Sequence, residues 1–406
     1  MNRFLSSTLF CFFVSSAVTA EDWNQWRGPR RDGSVGQTSW PDQLTDRLTK
    51  RWQVPLQPSY SGPVMQDGLV FTTETVHEKI ERVTAYSIED GSKVWQHEWP
   101  GSMTVPFFAA TNGSWIRSTP AVVPGYLVVL GMRDVLVCMD PKNGGEKWRI
   151  DFPADLDKPL EAFGGVCSPL IHEGAVYVQL GGGLTKVILE TGEVAWQVLD
   201  SQAGMSGGAF SSPSLATIHG KPQLLVQTRT ELCGVDLESG QTLWAEPIEA
   251  FRGMNILTPL AIGGRVFTAA HSGRSQLFDI RRDDASWSVD EAWRQKTQGY
   301  MSSPVKVDDA IYLHLKNERF TCLDAEDGTI HWTSPPVGKY WSMVHNGENI
   351  LALASDGVLR LIEATPEEYR VLDQTKVADD SWAYLAVDGK TIVVRDLNSL
   401  QVYQWN

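Results

Sequence analysis

Apolar residues in this chain come in short runs broken by Gly, Pro, Asp or Asn, with no long amphipathic stripe. In Pro120-Ala-Val-Val-Pro-Gly-Tyr-Leu-Val-Val-Leu130 two runs flank a Gly-containing turn, and Ala175-Val-Tyr-Val178 and Ala310-Ile-Tyr-Leu313 repeat the second run. Val135-Leu-Val-Cys-Met139 is a further run, closed by Asp140 and Gly144. Runs of this length, rich in β-branched residues and bounded by turn formers, predict strands joined by tight turns.

Two patterns give these strands a period. Gly-x-x-x-Trp occurs at Gly91/Trp95, Gly144/Trp148, Gly192/Trp196, Gly240/Trp244 and Gly328/Trp332, and in three copies an Asp (Asp140, Asp236, Asp324) stands four residues before the Gly. Out of phase with it run Ser61-Gly-Pro63, Ser118-Thr-Pro120, Cys167-Ser-Pro169, Ser211-Ser-Pro213, Leu257-Thr-Pro259 and Ser302-Ser-Pro304. Each unit therefore holds four strands, a to d. Proline cannot donate to a ladder, so strand a needs a free edge. Tryptophan marks strand d, where a large flat ring can fill a widening gap between sheets. Two degenerate copies near Trp341-Ser342 and Trp382-Ala383 bring the count to eight, with Trp293 standing in for the tryptophan of the fifth unit and Tyr369 for that of the seventh. The eighth unit supplies only Leu385-Asp388, Thr391-Arg395 and Leu400-Trp405, while Lys50-Arg-Trp-Gln-Val-Pro-Leu56 has an outer-strand tryptophan and no strands before it. The expected fold is all-β: a single eight-bladed β-propeller of four-stranded antiparallel blades, closed by Trp52 and its neighbours completing the last blade, which ties the two termini together and leaves only short, protected edges.

Residues 1–20 differ from the rest. Arg3 precedes an apolar stretch through Leu9, Phe10, Phe12, Phe13 and Val14, and Val18-Thr19-Ala20 ends it. This predicts a secretory signal cleaved before Glu21, an N-terminal extension over 21–49 and the propeller over 50–406, in an exported, periplasmic or extracellular protein. The formal charge is −14, one unit more negative without Arg3. Nucleic acid is therefore an unexpected partner, because phosphate binding needs a basic footprint. Cys138, Cys167, Cys233 and Cys322 form no CxxC or adjacent pair. Three of them fall on equivalent strands of different units, too far apart to bridge, so buried free thiols are expected.

The Gly-x-x-x-Trp repeats, the Ser-Ser-Pro starts and Asp22-Trp-Asn-Gln-Trp-Arg-Gly-Pro-Arg-Arg-Asp-Gly33 together resemble the PQQ-like propeller superfamily over essentially the whole mature chain. That superfamily holds quinoprotein alcohol and glucose dehydrogenases and the non-catalytic BamB-type lipoprotein of the outer-membrane barrel assembly machine, so fold does not fix function. The resemblance is to the non-catalytic, secreted branch, and Trp26-Arg-Gly-Pro29 is similar to the start of short secreted PQQ-repeat proteins. A quinoprotein dehydrogenase implies a calcium site of Glu, Asn and Asp, a catalytic Asp and often paired cysteines. None is matched here: Gly181-Gly-Gly-Leu-Thr-Lys186 is the nearest approach to a Gly-rich motif and reads as a hairpin turn.

No other catalytic constellation assembles. The eight histidines lie singly, without metal-ligand spacing, and no Gly-x-Ser-x-Gly accompanies the serines. No catalytic or metal-binding residue is assigned and no cofactor is expected. The d-to-a connections and b-to-c turns share one face and include the two longest loops, His97 to Arg117 and Asp151 to Val166. That face is the candidate ligand or partner surface, with Trp115, Arg117, Phe163, Phe210, Arg252, Asn255, Tyr300, Trp341 and Trp382 near its inner strands. Trp115, Trp341 and Trp382 are candidate stacking platforms, and the opposing reading has these aromatics merely plugging the channel. The expected function is a monomeric, non-enzymatic binding or scaffold protein for a protein or cell-envelope partner. The alternative is a PQQ-dependent oxidoreductase, with Arg117 on a quinone carboxylate and Asn255 or Asp380 near calcium.

Overall fold

The computed structural model describes residues 22–36, 38–201, 207–284 and 286–406. The proposed signal and its cleavage point lie outside them. Eight antiparallel four-stranded sheets form the blades of one propeller, and seven of them follow the chain in order from inner strand to outer. The eighth has the order Leu48–Pro55, Ser399–Trp405, Thr391–Arg395, Ala386–Asp388, so the N-terminal strand closes the ring as its outer edge. Trp52 pairs with Val402 in that closure.

Inner strands are short, such as Val64–Gln66, Ala121–Val123 and Val305–Val307. The middle strands are covered on both faces by neighbouring blades: all of Val135–Met139 and of Ala310–His314 is buried. Outer strands such as Val194–Val198 are mostly part-exposed. The core is thus a circle of interfaces between blades, one of which joins Phe71, Val83 and Trp95 of blade 1 to Leu127, Val129 and Val137 of blade 2.

The sequence motifs are the fasteners of these interfaces. Each motif glycine packs against the outer-strand tryptophan of the preceding blade, as Gly91, Gly144, Gly192, Gly240 and Gly328 do against Trp52, Trp95, Trp148, Trp196 and Trp293. A Cβ built on Gly144 would fall 2.5 Å from Trp95 Cε3, and one on Gly91 2.7 Å from Trp52 Cδ2; both glycines have φ of +73°. The indole N–H completes the lock, Trp95 donating to Pro141 O at 2.8 Å and Trp148 to Leu189 O at 2.8 Å. Blade 5 has no such glycine, because its outer hairpin is lengthened to Ser275–Asp283 and Ser286–Gln295. Trp244 of blade 4 is buried instead and donates to Gln223 Oε1 at 2.6 Å. Trp293 occupies the expected outer-strand position, packed on Gly328. Tyr369 stands just ahead of the seventh outer strand, Val371–Lys376, against Trp332 of blade 6.

The serine-proline starts lace the inner strands together. Gly62 N donates to Thr119 Oγ1, Thr119 N to Ser168 Oγ, Ser168 N to Ser212 Oγ, and Thr258 N to Ser303 Oγ, at 2.9 to 3.1 Å. Each hydroxyl thus satisfies a buried amide of the preceding blade. The repeated Asp residues cap their own turns, Asp140 Oδ1 accepting from Lys142 N and Asp324 Oδ1 from Glu326 N. The four described cysteines are free and buried, with burial pushing the thiols of Cys138, Cys233 and Cys322 up to about 12.

A plug of the channel exists, but the N-terminal extension supplies it rather than the aromatics of the loops. Its segment enters from the face of the a-to-b turns: Asn346 of the blade 7 turn donates to Thr38 O, and Val35 N to His345 O. Met65 N donates to Trp23 O and Val122 N to Asn24 O on the inner strands of blades 1 and 2. Arg31 reaches Ser168 O and Pro169 O at 2.9 and 2.8 Å in blade 3, and Arg27 reaches Pro304 O in blade 6. Both guanidiniums are buried, and desolvation lowers their pKa, that of Arg31 to about 9. The Trp-Arg-Gly-Pro stretch is thus a strut across the channel.

Candidate functional site

At the other end of the channel the loops shape a cavity of about 410 Å³, within the size range of ligand pockets. Its lining includes Arg117, Phe163, Phe210, Arg252, Tyr300, Trp341 and Trp382 of the sequence-derived set. These residues converge because each precedes an inner strand or lies in the loop feeding one, and the eight inner strands start around a single axis.

The aromatic rings form two arcs around the mouth. One runs Phe107, Phe108, Phe163, Phe210, with centroids 5.6, 6.2 and 5.5 Å apart. The other runs Phe251, His271, Tyr300, Tyr340, Trp382, Tyr60, Trp115, at 5.5, 4.8, 5.9, 4.2, 4.6 and 5.3 Å. Arg229 joins the arcs: its guanidinium lies 4.5 Å from the Phe210 centroid and donates to Arg252 O at 2.7 Å. Below, Tyr384 packs edge-on against Trp26 at 5.0 Å, so the strut forms the floor.

The charged groups lining the cavity are Arg117, Arg229 and Arg252. Arg117 donates to Gly113 O at 2.6 Å, and burial lowers its pKa. Neither Arg117 nor Arg252 makes an ion pair among the described residues. Burial and nearby Asp380 push the Tyr60 hydroxyl up to about 12.

Three sequence candidates stand differently from expectation. Trp341 is only 1% exposed, stacked on His314 at 5.1 Å with Arg360 over it at 5.5 Å, so its faces are already covered. Trp115 packs behind Tyr60 rather than lining the cavity. Asn255 is fully buried and spends its amide N–H groups on Arg229 O and Ile248 O, holding the loop from inside. Sequence reasoning missed Tyr60, Phe108, Arg229, Phe251, Tyr340 and Tyr384. Tyr60 and Tyr340 directly precede inner-strand starts, so the rule that selected Tyr300 would have found them. Arg229 sits on the b-to-c turn of blade 4, and Phe108 and Phe251 lie within loops, where nothing local marks them.

A family model described as outer membrane protein assembly factor BamB matches residues 79–334. The chain belongs to that family. Relatives in it include the outer membrane protein assembly factor BamB of Moranella endobia, 22% identical over 357 residues, spanning 83% of this chain and 82% of that one. The factor of the same description from Yersinia pestis is 20% identical, over 68% and 66% of the two chains. Among solved structures, BamB from Moraxella catarrhalis matches with a TM-score of 0.65 at 14% identity, over 88% of this chain and 98% of that one. A quinohemoprotein alcohol dehydrogenase from Pseudomonas putida matches with a TM-score of 0.55 at 12% identity, over 95% and 80%. At these identities the structural likeness speaks for the fold.

The dehydrogenase likeness raises the question of a calcium-held quinone. The lining arginines would suit quinone carboxylates, but the cavity lining includes neither a carboxylate nor Asn255 to hold calcium. The residues present do not fit the pair. Among the described residues no group of three or more His, Cys, Asp and Glu side chains converges as metal ligands, and no helix is long and apolar enough to cross a membrane.

Proposed function

We propose that the chain is an exported, non-enzymatic binding propeller of the cell envelope that docks a protein partner on its funnel face. The carrying observation is where apolar surface is left in water. Phe107 is 90% exposed, and Phe108, Leu156, Leu160 and Phe251 are also exposed. All five lie on d-to-a loops of the funnel face, and Phe108 and Phe251 line the cavity itself. Aromatic anchors around a concavity, with arginines and no acid inside it, have the make-up of an interface centre. The relatives' names as assembly factors and the signal-like start favour the same reading. A photo-crosslinking residue at Phe107, compared with one at the equally apolar outer-strand Val94, tests it in native envelopes. A discrete adduct at 107 that is absent at 94 and lost in Arg117→Gln supports the proposal. Equal labelling at both positions, or none at either, refutes it.

The second reading, a quinone-dependent oxidoreductase, rests on the arginines and stacked rings of the cavity. Adding PQQ and calcium, following tryptophan quenching and testing dye reduction with alcohols and sugars decides it: saturable binding with turnover would displace the binding-protein reading.

A further inference from the structure

The funnel cavity is cationic although the chain as a whole carries a formal charge of −14. Arg117 and Arg252 line it without an ion pair among the described residues. Under the floor, Arg27 and Arg31 spend their donors on the carbonyls of Pro304, Ser168 and Pro169, and Asp32 offsets part of the charge of Arg27. Two carboxylates within electrostatic reach of lining residues, Glu161 near Arg229 and Asp380 near Tyr60, stand outside the lining. Cations in such an enclosure attract an anion more strongly than exposed ones, because less water screens them.

The remainder of the lining is mostly apolar, with Val166, Phe210, Ile256, Met301 and Trp382 among it. Its volume of about 410 Å³ takes roughly two large residues at interior packing density. Trp26 of the strut packs against Tyr384 at the floor, so a chain entering from the rim must end or turn back inside. An occupant therefore needs a negative charge on a large apolar body. An Asp or Glu within a chain would bring two backbone arms into a blind funnel, where their N–H and C=O groups lose water and find few partners. A chain's last residue brings one arm, with the α-carboxylate beside its own side chain. The cavity surface also continues outward through Phe108 and Phe251, which both line it and are exposed, so more of the same chain can lie on the rim.

We propose that the funnel takes the C-terminal residue of the partner's chain, a large apolar one, with its free carboxylate on Arg117 and its side chain among the rings. This rests on the partner-docking reading and adds to it what enters the cavity. Arg117 holds Gly113 O through Nη2 and Trp115 O through Nε, which fixes the guanidinium and leaves Nη1 for the carboxylate. Arg252 is exposed, 5.1 Å from the Phe251 centroid, and adds to the field around the site.

The probe is a dye-labelled octapeptide of Gly and Ser that ends in Phe with a free carboxylate, followed by fluorescence polarisation against the purified chain. Saturable binding is expected. Amidating the end, replacing the last Phe by Ser, or moving the charge to an Asp two positions inside an amidated end should each weaken it about tenfold or more. Arg117→Gln should weaken it about tenfold with an unchanged urea midpoint, and Arg252→Gln about threefold. If Arg117→Gln does not fold, Arg252→Gln carries the charge test. The proposal falls if the free-acid peptide does not bind, if the amidated or internal-Asp peptide binds as well, if neither arginine variant weakens binding, or if 3-phenylpropionate competes as strongly as the unlabelled peptide. The crosslink at Phe107 reads docking itself: an adduct there without peptide binding refutes the chain-end proposal alone, and loss of both refutes both.

Discussion

Replacing Gly144 by Ala tests whether the glycine of each repeat serves the tryptophan of its neighbour. Any L-residue at φ of +73° costs about 1 kcal/mol in the left-handed region. The new methyl would also lie 2.5 Å from Trp95 Cε3, so the indole must withdraw. Loss of its bond to Pro141 O is worth about 1 kcal/mol net, and re-exposing roughly 50 Å² of the ring about 1.3 kcal/mol. The total is about 3 kcal/mol. Gly68→Ala is the control: φ is +76° and nothing lies within 4 Å of the added methyl, so it should cost only the first term, about 1 kcal/mol. Urea unfolding of both variants, with Trp95→Ala alone and combined with Gly144→Ala, gives the measurement. In the Trp95→Ala background the second substitution should cost no more than the control, a coupling of about 2 kcal/mol. If Gly144→Ala is no more harmful than Gly68→Ala, the packing account is wrong.

Other consequences follow from the strut, the inner belt and the buried histidine. Deleting residues 22–36 leaves the closing strand Leu48–Pro55 in place but removes the acceptors of Met65 N and Val122 N, so hydrogen exchange should quicken at those two amides; removal through Leu56 should open the ring and expose the whole last blade. Ser168→Ala orphans the buried Thr119 N–H and should cost about 1 to 3 kcal/mol, measured by urea midpoint. His314, buried against Trp341, has its pKa lowered to about 4 by desolvation. In this window the unfolded chain binds the extra proton, so stability is complete above pH 6.5 and falls as pH drops towards 4, by at most about 3 kcal/mol. His314→Phe should keep the stack and flatten that slope, and an unchanged slope would assign the acid sensitivity elsewhere.

Much of this molecule was written in its sequence because a repeat reports its own geometry. Proline at six strand-a starts, the recurring outer-strand tryptophan and a lone outer strand at Lys50–Leu56 fix blade number, strand order and closure, since their spacing repeats once per four-stranded blade. Local turn chemistry, at Asp140 and Asp324, was equally legible. What tertiary structure alone decided is what meets across blades. Trp95 and Gly144 belong to different repeats, Ser168 serves Thr119, and Arg31 satisfies carbonyls of blade 3 from a segment more than a hundred residues earlier. The candidate site follows the same division. Residues adjoining an inner strand could be placed on the funnel by position, but nothing in the sequence shows that Trp341 has both faces covered, that Asn255 points inward, or that Arg229 closes the aromatic circle. Those outcomes depend on how loops from different blades fold over one axis, and on which polar groups they leave for each other to satisfy.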